Sequence, residues 1–303
     1  MRGILLVVGD GIGNQAQTLP SLMCLVNKYR RYNVGVYNSI PTQTEATKLL
    51  FRRVVDDVYF SDHTIDRTKY DAQILTAACY GSPARNMKVL NKRLLKNRNK
   101  YSEVEFNLLS VDNHWEKSSI DLATRLFDHW TTHEIECDIL IHNGYSKIHK
   151  EAEKRWFPKS YAYYDELVGR LKEEGLTVGS IGSKKEHIKG TVNLTGIKLK
   201  KSMSAIKSCK CFICNDTSTY HLANLIGKDN IVIFTFTDPN KNYYKRFHRY
   251  SRVIRRKDLD CSPCQIKGGF DFWTKNKKEC KWACRDIAVD AIINKVEEIL
   301  KCI

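Results

Sequence analysis

Short runs of apolar residues alternate with longer stretches of helical periodicity along the first part of this chain. The first apolar run covers residues 3–8, and similar runs recur near 33–37, 57–60 and 72–75. Short strands separated by helical stretches are typical of α/β layers built on a mainly parallel sheet. The pattern therefore predicts an α/β fold.

The second part of the chain repeats this pattern after a stretch, residues 101–136, in which the periodicity weakens. A strand is predicted at 137–146, followed by a helix at about 160–174. Because 303 residues exceed the usual size of one domain, we place domains at 1–131 and 132–303. Two such units would form a ligand crevice at the carboxyl ends of their strands.

The sharpest break from strand to helix lies in residues 208–224. An apolar run ends there in small polar residues, directly before helical periodicity resumes. The first backbone N–H groups of a helix have no intrahelical partner and suit the oxygens of a phosphate. We therefore expect an anion site at Asp216, Thr217, Ser218 and Thr219.

The charge of the chain is strongly positive and unevenly distributed. Fifty Lys and Arg residues stand against 34 Asp and Glu, a formal net charge of +16. Residues 84–100 hold seven basic residues and no acid, and helical spacing predicts an amphipathic helix there with its apolar residues in the core. Residues 240–285 hold fourteen basic and four acidic residues. Such segments attract a phosphorylated glycan, a membrane surface or nucleic acid; solvated faces are the alternative.

Aromatic side chains are interleaved with cations within the second basic segment, at residues 240–252. Cations that follow phosphates and aromatic faces that stack on bases are typical of a nucleic-acid groove. Carbohydrate sites also use aromatic side chains, so the segment is compatible with either partner.

The amino terminus runs from an apolar strand straight into a glycine-rich turn, without the small-residue cleavage site of a secretory signal. No apolar run approaches the ~20 residues that a membrane-spanning helix needs. We therefore expect a cytoplasmic protein without a transmembrane segment, peripheral at the inner face of the membrane or associated with DNA.

Eleven cysteines in such a chain point to reduced thiols or metal ligands. Cys261, Cys264, Cys280 and Cys284 are spaced C-x2-C-x15-C-x3-C, which can close a tetrahedral zinc site. Two local disulfides or four free cysteines are the alternatives. Four thiolates leave no open coordination position, so the zinc would be structural and no catalytic metal is expected. Three further cysteines are expected to be buried in a strand: Cys209, Cys211 and Cys214.

Five segments of the chain resemble, in the same order, the heptosyltransferase-like glycosyltransferases of family 9. They are residues 13–20, 142–146, 155–158, 182–186 and 194–239. The resemblance implies an α/β fold of GT-B architecture, with two Rossmann-like domains facing a central cleft. The first domain would bind the acceptor, and the second, with its four-cysteine cluster, would bind a nucleotide-diphosphate sugar.

The resemblance also implies roles for particular residues of the second domain. Asp216 and the backbone of 217–219 would face the sugar and diphosphate of the donor, and Glu186 would accept hydrogen bonds from the ribose hydroxyls. For each of these residues a purely structural role is the alternative. The basic residue near the phosphates would be one of three: Arg155, Lys154 or Lys159.

One position departs from the family. Where many relatives carry the aspartate that deprotonates the acceptor hydroxyl, this chain has Asn14, whose amide cannot take a proton. Asp10, on the same turn, is the nearest candidate base, and His114 beside Asp112 is a second. Either the base has moved, or the acceptor differs from those of the relatives, or activity is lost.

The sequence thus predicts an inverting glycosyltransferase that moves a sugar from a nucleotide-diphosphate sugar to a polyanionic acceptor. By resemblance, the acceptor would be a lipopolysaccharide core or a related phosphorylated surface glycan. The first alternative is a phage-type DNA glycosyltransferase that acts on hydroxylated bases. The second is a non-catalytic nucleic-acid-binding protein on a degenerate transferase fold.

Overall fold

A computed structural model describes residues 1–9, 11–78, 83–128, 130, 135, 137–145, 156–265 and 281–302. The chain divides into two compact units. The first is Met1–His129 with Tyr243–His248, and the second is Trp130–Asn242 with Arg249–Ile303. Residues 243–248 group with the first unit although their neighbours in sequence belong to the second, which the sequence pattern does not predict.

The first unit is built on a parallel sheet of five strands in the order β3-β2-β1-β4-β5. Every residue of the central strand β1 is buried, as expected for a parallel strand that is covered on both faces. The apolar runs predicted as the first four strands are confirmed. The strands are β1 (Gly3–Val8), β2 (Asn33–Asn38), β3 (Val58–Tyr59), β4 (Ala72–Leu75) and β5 (Lys88–Val89).

Helices follow the strands of the first unit. Two of them, α5 and α6, lie in the stretch where the sequence pattern weakens. Ser102 caps α5 by accepting a hydrogen bond from the Glu105 N–H at 3.3 Å. The helices are α1 (Ile12–Ala16), α2 (Leu19–Lys28), α3 (Thr44–Phe51), α4 (Lys92–Leu95), α5 (Glu103–Val111) and α6 (Ser118–Arg125).

The helix predicted over residues 84–100 is wrong. This segment contains the edge strand β5, the short helix α4 and a 3₁₀ turn. The Asn91 side chain explains the difference, because its amide exchanges hydrogen bonds with the backbone N–H and C=O of Leu75, at 3.1 and 2.7 Å. That pairing extends the edge of the sheet instead of continuing a helix. The predicted basic surface does exist, since all seven basic side chains are exposed.

The second unit is built on a parallel sheet of six strands in the order β11-β10-β9-β6-β7-β8. The strand predicted at 137–146 is confirmed within that range. The strands are β6 (Ile139–His142), β7 (Val178–Gly182), β8 (Val192–Thr195), β9 (Cys211–Asn215), β10 (Asn230–Ile233) and β11 (Ser251–Ile254). The cysteines expected in a buried strand, at 209, 211 and 214, are all buried.

Helices of the second unit pack their apolar faces against this sheet. The core joins residues of β6, β9 and β10 with Leu167 of α7 and Ile292 of α11. None of the helices in the described part of the chain is long and apolar enough to cross a membrane. The helices are α7 (Tyr164–Glu173), α8 (Leu199–Ser208), α9 (Ser218–Leu225), α10 (Pro239–Asn242) and α11 (Val289–Leu300).

Candidate functional site

The carboxyl ends of β6, β7 and β9 meet at one edge of the second sheet. His142 ends β6 and pairs in register with Cys214, next to the end of β9, while Gly182 ends β7. The predicted break from strand to helix is confirmed, because β9 ends at Asn215 and α9 begins at Ser218. We call residues 215–219 the donor loop, after the role that the sequence resemblance predicts for them.

Asn215 fixes the start of the donor loop. Its side chain is completely buried, and Oδ1 accepts hydrogen bonds from the Tyr161 N–H at 3.2 Å and the Tyr164 hydroxyl at 2.8 Å. Nδ2 donates to the backbone oxygen of Gly144 at 3.0 Å. Asn215 therefore ties the donor loop to the segment that follows β6.

Asp216 is buried and paired with a cation. Its Oδ2 lies 3.7 Å from Lys159 Nζ and accepts a hydrogen bond from Asn242 Nδ2 at 2.7 Å. Lys159 Nζ also donates to the Asp216 backbone oxygen at 2.9 Å and lies 4.8 Å from the centre of the Trp156 ring. A buried carboxylate needs such partners. Of the three basic residues considered for the phosphates, only Lys159 lies in the described part of the chain.

A buried histidine and glutamate face each other beside the donor loop. His142 Nε2 lies 3.6 Å from Glu186 Oε2, and the two side chains are only 10% and 7% exposed. Glu186 Oε2 also accepts the Ser183 N–H at 2.6 Å. Burial alone would raise the pKa of Glu186, but the hydrogen bonds and the charge attraction outweigh it and lower the pKa to about 2. Glu186 is therefore ionised at neutral pH.

Two glycines make room for this pair. A Cβ on Gly144 would lie under 3.0 Å from His142 and Glu186, and so would a Cβ on Gly182. Gly182 also has a φ of 129°, which residues with a side chain rarely adopt. The sequence places these glycines in segments that resemble the family but does not predict their packing role, because the side chains that they accommodate come from elsewhere in the chain.

The threonines of the donor loop reach the other side of the same imidazole. His142 Nδ1 lies 2.8 Å from Thr219 Oγ1 and 3.2 Å from Thr217 Oγ1, and the two hydroxyls lie 3.1 Å apart. Thr217 and Ser218 are half-buried at the start of α9, whose first turn contains no acid. Hydroxyls and free N–H groups at a helix start suit an anion. Sequence reasoning did not assign His142 a role.

The candidate base residues lie in the first unit. Asn14 is half-buried in α1, and its backbone oxygen accepts the Thr18 hydroxyl at 2.8 Å. Asp10 lies outside the described residues. His114 is exposed, and its backbone N–H, not its ring, binds the Asp112 carboxylate, which also pairs with Lys28 at 3.1 Å. The catalytic assignments stay predictions.

Three members of the cysteine cluster are described, and Cys280 lies outside the described residues. Cys264 and Cys284 are buried in one apolar cluster with Phe236, whereas Cys261 is exposed. Cys264 Sγ donates to the Cys261 backbone oxygen at 3.3 Å. The residues that are described contain no group of three or more Cys, His, Asp or Glu that could hold a metal ion.

The aromatic residues of 240–252 are engaged in internal packing. Phe247 is completely buried, Tyr243 stacks on the His248 ring with centroids 5.6 Å apart, and Tyr244 meets the edge of Trp115. Phe247 is therefore unavailable for stacking on a base, whereas the three tyrosines of the segment are half-buried.

A family profile and one curated relative match this chain. The profile of glycosyltransferase family 9 (heptosyltransferase) covers residues 85–269, more than half of the chain. Lipooligosaccharide heptosyltransferase 2 of Haemophilus ducreyi is 22% identical over 164 residues, which span 49% of this chain and 44% of that protein. The chain thus matches less than half the length of this relative.

Solved structures of heptosyltransferases share the fold. TibC of enterotoxigenic E. coli, an iron-containing dodecamer solved with ADP-heptose, is 16% identical with a TM-score of 0.68, covering 99% of this chain and 77% of its own. A family 9 glycosyltransferase of Veillonella parvula is 12% identical with a TM-score of 0.63, covering 99% and 97%. E. coli ADP-heptose lipopolysaccharide heptosyltransferase II is 16% identical with a TM-score of 0.54, covering 92% and 100%.

These similarities confirm the predicted GT-B fold class with its two parallel sheets. The profile match extends from the basic segment that begins at residue 85 in the first unit to residue 269, beyond the donor loop of the second. The chain belongs to glycosyltransferase family 9.

Proposed function

We propose that the protein is an inverting glycosyltransferase that moves a sugar from a nucleotide-diphosphate sugar, ADP-heptose in the relatives, to a polyanionic acceptor. By default the acceptor is a lipopolysaccharide core or a related surface glycan. The observation that carries the proposal is the donor loop at the carboxyl edge of the second sheet. Two threonine hydroxyls lie there at the start of a helix, and Lys159 contacts the loop from outside.

The donor loop would hold the diphosphate and stabilise it as a leaving group. The free N–H groups at the start of α9 and the Lys159 ammonium both favour negative charge, which grows on the diphosphate as the bond to the sugar breaks. We assign the ribose hydroxyls to Glu186 Oε1, because Oε2 is already bound to Ser183 and faces His142.

We propose Asp10 as the base that takes the proton of the acceptor hydroxyl. In an inverting reaction that oxygen attacks the anomeric carbon as the bond to the diphosphate breaks, and its proton passes to the base. D10N should lower kcat about 100-fold or more and leave the donor Kd unchanged. In a D10N background, N14D should restore part of kcat if Asn14 marks the position where relatives hold their base. An unchanged kcat in D10N would contradict the assignment.

The acceptor would bind at the basic edge of the first sheet, which we define as the seven exposed basic residues between 85 and 100. A cation near an anionic surface contributes about 1 kcal/mol at physiological ionic strength. Several of them together can therefore hold a phosphorylated glycolipid, and we place the enzyme in the cytoplasm at the inner face of the membrane. The seven are Arg85, Lys88, Lys92, Arg93, Lys96, Arg98 and Lys100.

A side-by-side acceptor assay tests this proposal. The protein is incubated with ADP-heptose and either heptose-deficient lipooligosaccharide or hydroxymethylated DNA, and the products are weighed by mass spectrometry. We expect one added heptosyl group on the lipooligosaccharide. The triple variant K92E/R93E/K96E should lose about tenfold or more in kcat/KM for that acceptor, whereas K198E/K200E/K201E on the second unit should not. Transfer to DNA alone would support the phage-type reaction instead.

We also propose that the four-cysteine cluster holds a structural zinc. Cys264 and Cys284 share one buried cluster, and Cys261 lies next to the first of them. Four thiolates would close the coordination shell and brace the segment that follows β11. Elemental analysis of the purified protein for zinc and iron tests this proposal, and the C264S/C284S variant, which should lose the metal, is the control. A wild-type protein that contains no metal, or one whose melting temperature does not change when the metal is removed, would contradict it.

A further inference from the structure

A cavity of about 340 Å³ opens in the first unit, at the amino ends of three neighbouring strands. Arg2 precedes β1, Asp71 precedes β4 and Arg85 lies shortly before β5, and most of the remaining lining comes from residues 62–70, between β3 and β4. The ligand crevice expected of such a sheet lies at the opposite, carboxyl ends of its strands. The cavity is therefore separate from that crevice.

The charged side chains of the lining leave an excess of positive charge. Three arginines line the cavity against two aspartates. A concave site with an excess of one sign of charge attracts ligands of the other sign. The cavity therefore favours an anion. The charged residues are Arg2, Asp62, Arg67, Asp71 and Arg85.

One of the three arginines builds the wall of the cavity. Arg67 donates to Asp62 Oδ1 and to the backbone oxygen of Arg85, both at 2.6 Å, and Asp62 Oδ1 also accepts the Arg85 N–H at 3.0 Å. Burial would raise the pKa of Asp62, but these hydrogen bonds outweigh it and lower the pKa. Arg67 and Asp62 thus offset each other's charge and hold the backbone of residue 85 in place.

The other two guanidinium groups are left available to a ligand. Arg2 binds Asp71 Oδ1 through its backbone N–H at 3.0 Å, while its Nε lies 4.0 Å from Asp71 Oδ2, too far for a hydrogen bond. Arg85 is exposed and also uses its backbone for the contacts with Asp62 and Arg67. Neither guanidinium donates a hydrogen bond to another residue in the part of the chain that the structure describes.

The size and the floor of the cavity suit a small ligand. Its volume lies at the lower end of the range of about 300–1,000 Å³ that is typical of small-molecule sites. Two buried side chains, Tyr70 and Met87, contribute apolar surface to the lining. The Tyr70 hydroxyl already donates to Asp57 at 2.6 Å, so recognition of an anion falls to the arginines.

We propose that this cavity binds a phosphomonoester on a small polar carrier, such as a sugar phosphate, through the guanidinium groups of Arg2 and Arg85. A guanidinium presents a planar fork of N–H donors that matches two oxygens of a phosphate. A phosphomonoester has three terminal oxygens and can accept from both arginines, whereas a carboxylate has only two. The site adds to the proposed transfer reaction and does not depend on it.

Calorimetric titration of the full chain with glucose 6-phosphate tests the proposal. The protein is first saturated with ADP, which occupies the proposed donor loop, and glucose serves as the uncharged reference. At physiological ionic strength we expect the wild type to bind a single molecule of glucose 6-phosphate per chain and to give no binding heat with glucose.

Four variants assign the binding site. R2Q and R85Q each remove a guanidinium and keep the backbone hydrogen bonds to Asp71 and Asp62, so the fold should be preserved. Each should raise the Kd for glucose 6-phosphate about tenfold, because a hydrogen bond to a charged group is lost. R85K keeps the charge without the fork and should give an intermediate Kd. R31Q, at an exposed arginine before β2 that does not line the cavity, should leave the Kd unchanged.

The outcomes are independent of the proposed transfer reaction, which the acceptor assay tests. Absence of glucose 6-phosphate binding in the wild type, or a Kd that R31Q raises as much as R85Q does, would overturn the site. Binding that ADP abolishes would place the phosphate at the donor loop and also overturn it. Vesicles of phosphatidic acid that bind when glucose 6-phosphate does not would overturn the assignment to a small ligand.

Hydrogen exchange in the wild type gives a second test if R2Q or R85Q fails to fold in a melting experiment. Glucose 6-phosphate should slow amide exchange at residues 62–71 and 84–88, which surround the cavity. Protection confined to other segments would overturn the site.

Discussion

The polar side chains at the carboxyl edges of the two sheets differ in whether they have hydrogen-bond or ion-pair partners. In the second unit the charged ones are paired with one another, as Asp216 is with Lys159 and His142 is with Glu186, although Asn143 Oδ1 and Thr237 Oγ1 are buried without a partner among the described residues. In the first unit, both amide atoms of Gln15 and the hydroxyls of Ser39 and Thr76 are buried without a partner among the described residues. An unsatisfied buried group costs about 1–3 kcal/mol. The second edge thus pairs its charged side chains, whereas the first edge holds more of the buried polar groups that water or a substrate would satisfy.

The largest effect should come from removing the space around the histidine and glutamate. In G182A a Cβ would collide with Glu186 at a φ of 129°, so we expect a loss of stability of about 3 kcal/mol or more and loss of donor binding. Gly169, in α7, is the matched control because nothing lies within 4 Å of its added Cβ. G169A should stabilise the protein by about 0.5–1 kcal/mol. Equal changes in the free energy of unfolding for G182A and G169A, measured by chemical denaturation, would contradict this explanation.

Acid should lower the stability of the second unit through protonation of Glu186. Its surroundings lower the pKa of Glu186 from the ordinary 4.5 to about 2 in the folded protein, so the stabilisation is present above about pH 4.5 and is lost as the pH falls toward 2. The difference corresponds to at most ~3 kcal/mol. Urea denaturation at several pH values should show a shallower acid limb for E186Q. E166Q, at an exposed position of α7, should keep the wild-type slope.

Two lysine–aspartate pairs separate the effect of a buried ion pair from that of an exposed one. Lys159 and Asp216 are 16% and 3% exposed, whereas Lys210 and Asp138 are 55% and 22% exposed. K159M leaves a buried carboxylate without its cation and should cost about 3 kcal/mol in stability, whereas K210M should cost at most about 1 kcal/mol. If K210M is the more damaging variant in thermal melts, the donor loop is not held by its buried ion pair.

The smallest effect should come from one hydroxyl. T217V removes the half-buried Thr217 hydroxyl from beside the start of α9, and we expect the Kd for ADP-heptose to rise about five- to tenfold, equivalent to ~1 kcal/mol. T195V, whose hydroxyl binds the nearby Asn193 side chain, should leave the Kd unchanged. A T217V protein that binds the donor as tightly as the wild type would show that the threonine does not meet the phosphates.

The sequence predicts those parts of the molecule whose structure depends on residues that are close together in the chain. The end of β9 and the start of α9 follow from an apolar run, small polar residues and helical spacing within one short segment. The helix expected at 84–100 failed because Asn91 pairs with Leu75, 16 positions away in the chain. His142 was missed for the same physical reason, since Thr219 lies 77 positions from it. Periodicity carries no information about such distant partners.

Hydrogen exchange followed by mass spectrometry, with and without ADP-heptose, tests the central claim most directly. We expect the donor to slow exchange at residues 211–225, above all at the first amides of α9, and at 139–145. Peptides from β2 in the first sheet serve as the internal reference. Donor binding that leaves exchange at 211–225 unchanged while protecting another segment would contradict the placement of the donor site.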